Sequence, residues 1–138
     1  MTTVLTKDLE GNTLDWAVAK CEGLDASQIK ANGPVHLFRT MGYDPLPWQP
    51  SSSWSQGGPI MEREIDSYDK SGNVFQAVKL DAQGNYSMFD HVGHDGFGHS
   101  PLIAAMRCYV KSKFGPEIQV PNELLDTPKT NSKMGVSP

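Results

Sequence analysis

Two cysteines among 138 residues leave no room for a disulfide framework. Cys21 and Cys108 each fall on the apolar side of an expected helix, so they read as buried free thiols in a reduced compartment. Long hydrophobic runs are missing as well. No stretch approaches the ~18 apolar residues of a membrane span, and the start of the chain lacks the pattern of a signal peptide. Positive charge is in short supply, with 12 Lys and Arg against 16 Asp and Glu for a net charge of −4. Without a basic excess to neutralise phosphates, direct binding to nucleic acid is not expected. There is no G-x-S-x-G, no Walker loop, no C-x-x-C and no His-Glu-x-x-His, so no catalytic or cofactor class is announced by motif, and no cofactor is expected.

What is present organises itself around Ser100–Gly115, S-P-L-I-A-A-M-R-C-Y-V-K-S-K-F-G. Ser100 is a favoured N-cap and Pro101 suits the first helical position, where a missing N–H costs nothing. Leu102, Ile103, Met106, Tyr109 and Val110 recur on one helical face. Lys111 and Lys113 complement the C-terminal dipole, and Gly115 ends the helix before Pro116. A second amphipathic helix is predicted over Thr13–Glu22, capped by Asn12 or Thr13, with Leu14, Val18 and Cys21 on its inner face and Trp16 as an anchor.

Between the helices, Val35–Arg39 suits a short strand. Thr40–Pro59 reads as a long loop pinned to the body by Tyr43, Trp48 and Trp54, because four prolines and Gly57–Gly58 interrupt any pattern. Ile60–Tyr68, Asn73–Leu80 and Asn85–Asp90 read as a three-stranded antiparallel meander with polar, glycine-bearing turns. His91–His99 is a glycine-rich loop. Thr2–Thr6 and Glu117–Val120 suit edge strands. The fold expected is α+β: an antiparallel sheet of three or more strands against the helices Thr13–Glu22 and Pro101–Phe114. One domain spans 1–125, and 126–138 form a flexible polar tail.

Four sets of residues have side chains suited to chemistry. His91, His94 and His99, flanked by Asp90 and Asp95, offer imidazole and carboxylate ligands of the kind that hold zinc, though without recognised spacing. Glu62 and Glu64 would share one face of a strand, with Arg63 on the other; they could do acid/base work if their pKa values were driven apart, but a solvated face of an edge strand is the plainer reading. Arg107 can present its fork to an anion or pair with Glu62 or Glu64. Trp54, beside Gln56 and Gly57–Gly58, can stack on a ring or plug the core.

Three blocks, L-D-W-A-V-A-K-C-E-G (14–23), S-S-S-W-S-Q-G-G-P-I-M-E-R-E (51–64) and P-L-I-A-A-M-R-C-Y-V-K-S-K-F-G (101–115), together resemble the NinX-like family of phage and prophage proteins. The layout is also similar to phage ABA sandwich domains. The residues carrying the likeness are Trp16, Cys21, Trp54, Gln56, Gly57, Gly58, Glu62, Arg63, Glu64 and Arg107, and the His91–His99 cluster lies outside it. The resemblance implies an accessory protein of the host bacterial cytoplasm and brings no activity with it. The reading that follows is non-enzymatic binding to a host factor, such as a defence component, with Trp54, Glu62, Glu64 and Arg107 as the binding residues. The alternatives are a nucleotide-binding protein built on Trp54 and Arg107, or a metal-dependent hydrolase built on the histidine loop. An exposed tryptophan would equally suit a homo-oligomer.

Overall fold

A computed structural model describes residues 1–24, 35–37, 46–87 and 92–125. In chain order it runs β1 (Thr2–Leu5), a 3-10 turn (Thr6–Asp8), α1 (Gly11–Cys21), β2 (Val35–Leu37), β3 (Leu46–Trp48) and α2 (Trp54–Glu64). There follow β4 (Ser67–Ser71), β5 (Val74–Lys79), β6 (His94–Gly98), α3 (Pro101–Phe114), β7 (Glu117–Val120) and the single turn α4 (Asn122–Leu125). Every sheet is antiparallel: β4-β5-β6, β1-β7 and β2-β3. The architecture is α+β, as expected. Tyr43, Asp90, His91, the ends of two expected strands (38–39 and 88–90) and the tail 126–138 lie outside the described residues. Among the described residues no helix is long and apolar enough to cross a membrane.

α3 forms as the sequence dictates. Ser100 Oγ accepts the Ile103 N–H at 3.2 Å, Pro101 opens the helix, and Gly115 closes it at φ 83°. The helix buries more than the expected stripe, with Ala104, Ala105 and Cys108 joining Leu102, Met106, Tyr109 and Val110. α1 starts at Gly11, two residues early, because Thr13 Oγ1 bonds back to Glu10 rather than capping from outside. It contributes Leu14, Trp16, Ala17, Val18 and Ala19 to the core.

Three expectations are corrected. The stretch 40–59 is not a loop throughout: β3 lies within it, and a helix begins at Trp54 with Pro59 inside. Ile60–Glu64 is therefore helical rather than extended, and the first strand of the meander starts only at Ser67. The third strand is not Asn85–Asp90 but β6, inside the segment read as a soft loop; Ser87 and Val92 form only an isolated bridge.

Packing explains both displacements. Gly57, Ile60 and Ile65 are buried at near-helical spacing, so tertiary burial overrides the poor local propensity of Gly-Gly-Pro. In β6, a Cβ at Gly96 would overlap the Ala104 carbonyl oxygen and lie 2.9 Å from Cys108 Cα. A Cβ at Gly98 would lie 2.7 Å from Ile103 Cγ2. These glycines let α3 sit directly on the strand, backbone against backbone.

Candidate functional site

The residues able to do chemistry sit on α2, α3 and β6, and most are bound to one another. Arg63 is the hub of one network. Its guanidinium pairs with Glu22 at the end of α1 and with Glu64 at 2.6 Å, and reaches the Tyr109 hydroxyl of α3 at 3.4 Å. Glu64 also accepts from Lys79 Nζ of β5 at 2.8 Å. Burial alone would raise the Glu64 carboxyl, but Lys79 and Arg63 outweigh it and hold it below its ordinary value. Burial, with Glu22 beside it, raises the Tyr109 hydroxyl, which donates to the Glu22 carboxylate. The network joins three helices and a strand. The expected pairing of Arg107 with Glu62 or Glu64 is not made; Arg63 takes that role because the segment is helical and turns it toward α1 and α3.

Arg107 instead staples backbone. Its Nε donates to Leu9 O at 2.7 Å and its Nη1 to Phe97 O at 2.8 Å, tying α3 to the start of α1 and to β6. Nη2 keeps both of its donors without a partner among the described residues. Asp95, 8% exposed, is held by Lys111 Nζ at 2.7 Å and the Tyr86 hydroxyl at 2.6 Å. Burial opposes its ionisation, yet those two donors win and its carboxyl stays below the usual range. The Tyr86 hydroxyl is correspondingly pushed up to about 12 by burial and by Asp95.

His94 and His99 do not converge, and His91 lies outside the described residues. His94 opens β6 and His99 follows its end, so strand rise sets them roughly 16 Å apart. Burial, then Lys111 and Lys79, lower the His94 imidazole below its ordinary value. Among the described residues no group of three or more His, Cys, Asp or Glu is placed to hold a metal ion. Burial also pushes the Cys21 and Cys108 thiols up to about 12, and both are free.

Trp54 does not plug the core. It is 58% exposed, whereas Trp48 (8%) and Trp16 are the tryptophans that enter the interior. The clamp on this segment is made elsewhere. Asp15 Oδ1 of α1 accepts the Ser51 N–H at 2.9 Å, and the Gln56 side chain bonds Gln49 N at 2.7 Å and Pro47 O at 2.8 Å. A Cβ at Gly57 would overlap Pro50 O and lie 2.8 Å from Leu102 Cδ2, which fixes α2 against α3. On the opposite face Trp54, Gly58 and Glu62 follow one another at four-residue spacing. The Trp54 ring lies over Gly58, 3.9 Å from where a Cβ would stand. Glu62 is exposed and has no partner among the described residues. Trp54 and Glu62 thus share one exposed face, about 12 Å apart along the helix, while Glu64 and Arg107 are turned to internal work.

Sequence reasoning missed a cleft of about 470 Å³ whose walls come from β6, α3 and the turn after β1, with Phe97, His99, Arg107, Lys111 and Lys7 around it. Its signal was the period-two order of H-D-G-F-G-H, masked by the glycines. Nothing among curated proteins matches the chain. A family model described as Bacteriophage P22, NinX matches residues 6–113. That span takes in the Arg63 network, the α2 face and the whole of β6, and the chain belongs to the bacteriophage P22 NinX family.

Proposed function

We propose that this phage accessory protein acts by binding a host factor, without catalysis, through the outer face of α2. One observation carries the reading. An exposed tryptophan stands beside Gly58 on a helix that is fixed firmly from behind, with Glu62, unpartnered among the described residues, two turns along. Large, rigid, accessible aromatics are the usual anchors of protein interfaces. Holding the ring over Gly58 lowers the entropy cost of presenting it. By contrast, the carboxylates and cations of the Arg63 network neutralise each other, and the thiols are held protonated.

The test is retention of a host protein on the immobilised chain, followed by purification of that protein and titration with wild type and Trp54→Ala. The reading expects a one-to-one complex weakened at least about tenfold by Trp54→Ala, with thermal stability nearly unchanged. A complex indifferent to both Trp54→Ala and Glu62→Lys would reject this face. Self-association lost on Trp54→Ala, with no host partner, would assign the face to a homo-oligomer instead.

A further inference from the structure

We propose that the cleft beside Phe97 is a site for a small anion carrying a flat ring, of the nucleoside mono- or diphosphate class. It is separate from the α2 face, and neither reading depends on the other.

Charge is the first argument. The chain carries a net charge of −4, yet the cleft gathers Lys7 and Arg107, with Lys111 paired to Asp95 in its wall. Asp95 is the acidic residue in its wall, and it is buried and already bonded to Lys111 and Tyr86. Arg107 is anchored through Nε and Nη1 on two carbonyls, which leaves Nη2 pre-oriented without further ordering of the side chain. A fixed guanidinium beside a mobile lysine suits a phosphate group, which can accept from the Nη2 of one and take a point charge from the other.

Shape is the second. Phe97 is 42% exposed and Val74 is also open to solvent, so one wall of the cleft is apolar. Inorganic phosphate would leave that wall wet. A nucleobase stacked on Phe97 would cover it, and such stacking is tolerant of base identity. Gly96 and Gly98 contribute main chain to the lining, with the space of their missing side chains taken by α3. The volume, about 470 Å³, falls within the ~300–1,000 Å³ range of small-molecule sites. The nucleotide reading of the sequence rests on Trp54 and Arg107 lining one pocket; the ring that lines the cleft with Arg107 is that of Phe97.

The experiment is isothermal titration of the full chain with AMP, GMP, CMP, UMP and their diphosphates, with adenosine and inorganic phosphate as controls and amide NMR as a second readout. Expected is saturable binding of nucleotides, with the Gly96 and Gly98 amides shifting. Phe97→Ala should weaken it about tenfold and Lys7→Ala at least threefold, while Phe97→Tyr restores it. Both positions are solvent-exposed, so folding is checked simply by the unchanged spectrum. Absence of any shift at 10 mM nucleotide overturns the proposal. So does equal binding of inorganic phosphate, or binding of an acidic peptide such as poly-glutamate where nucleotides fail. Trp54→Ala leaves nucleotide affinity unchanged, which separates a failure here from a failure of the α2 interface.

Discussion

Asp15 offers the sharpest quantitative test of how the α2 segment is held. The side chain is 2% exposed on α1, and its carboxylate oxygen accepts the Ser51 N–H of the turn that leads into α2. Burial penalises its charge more than the Ser51 bonds favour it, so its pKa is pushed up from 3.8 to about 6. A shift of just over two units at about 1.4 kcal/mol each amounts to roughly 3 kcal/mol between the protonated and ionised forms. Because the folded state binds the proton more tightly than the unfolded one, this stabilising contribution is fully present below pH 3.8. It declines as the pH rises and is gone above about pH 6. Asp95 and Glu64 act in the opposite sense, since their carboxyls are held low and their contributions fade as the pH falls.

Asp15→Asn isolates the effect. Asparagine keeps an oxygen for the Ser51 N–H but cannot ionise, and its amide N–H₂ costs about 1–3 kcal/mol if it finds no partner. The absolute stability of the variant at pH 7 is therefore close to that of wild type, and the informative quantity is the difference between the two across pH. Contributions from Asp95 and Glu64 are common to both proteins and cancel. Urea unfolding at half-unit intervals from pH 4 to pH 7.5 should show the variant gaining on wild type by on the order of 2–3 kcal/mol, most of it before pH 6.5. A difference that stays flat with pH would show that Asp15 titrates normally. One that moves the other way would show that the hydrogen bonds from Ser51 dominate the charge, and would refute the burial argument.

Four further tests address the rest of the frame. Gly96→Ala should cost at least about 3 kcal/mol in urea unfolding, because the new methyl meets helix backbone that cannot move aside. Gly72→Ala, at φ 63° with open space around it, should cost only about 1 kcal/mol. Lys111→Met leaves the Asp95 carboxylate with Tyr86 alone and should destabilise by about 2–3 kcal/mol at pH 7. That penalty should shrink toward pH 4, where the carboxyl takes a proton; a pH-independent loss would point to packing instead. Native Cys21 and Cys108 should react with a disulfide reagent at pH 8 roughly a hundredfold or more slower than free cysteine, and at the normal rate in denaturant.

Legibility in the sequence followed how local the determining physics was. α3 could be read to the residue because its cap, its first proline, its apolar stripe and its terminal glycine all act within one turn of where they stand. β1 and β7 could be read as strands but not as partners, since the pairing Thr2↔Val120 joins residues from opposite ends of the chain. α2 is hidden for the same reason, because what decides it lies elsewhere in the chain. Gly57, Gly58 and Pro59 argue locally against a helix, and the burial of Gly57, Ile60 and Ile65 that compensates comes from Pro50 and α3. An eye on the spacing of 57, 60, 61, 64 and 65 would have found the helix, because strict alternation fails at Met61.

The same logic governs the candidate sites. Arg63 and Arg107 are indistinguishable as side chains, and only tertiary position makes one the hub of an ion network and the other a backbone staple. The glycines of H-D-G-F-G suggest a flexible loop when counted, but a packed strand when their facing atoms are known. That reversal matters for the proposed nucleotide site: a loop at 94–98 would let Phe97 and Arg107 drift apart. A strand locked under α3 instead holds the ring and the guanidinium at fixed separation, which is the condition for selecting one class of ligand over another. The cleft and the exposed face of α2 are therefore both products of glycine. Gly96 and Gly98 seat α3 on β6, Gly57 seats α2 against α3, and each contact fixes the side chain presented on its far side.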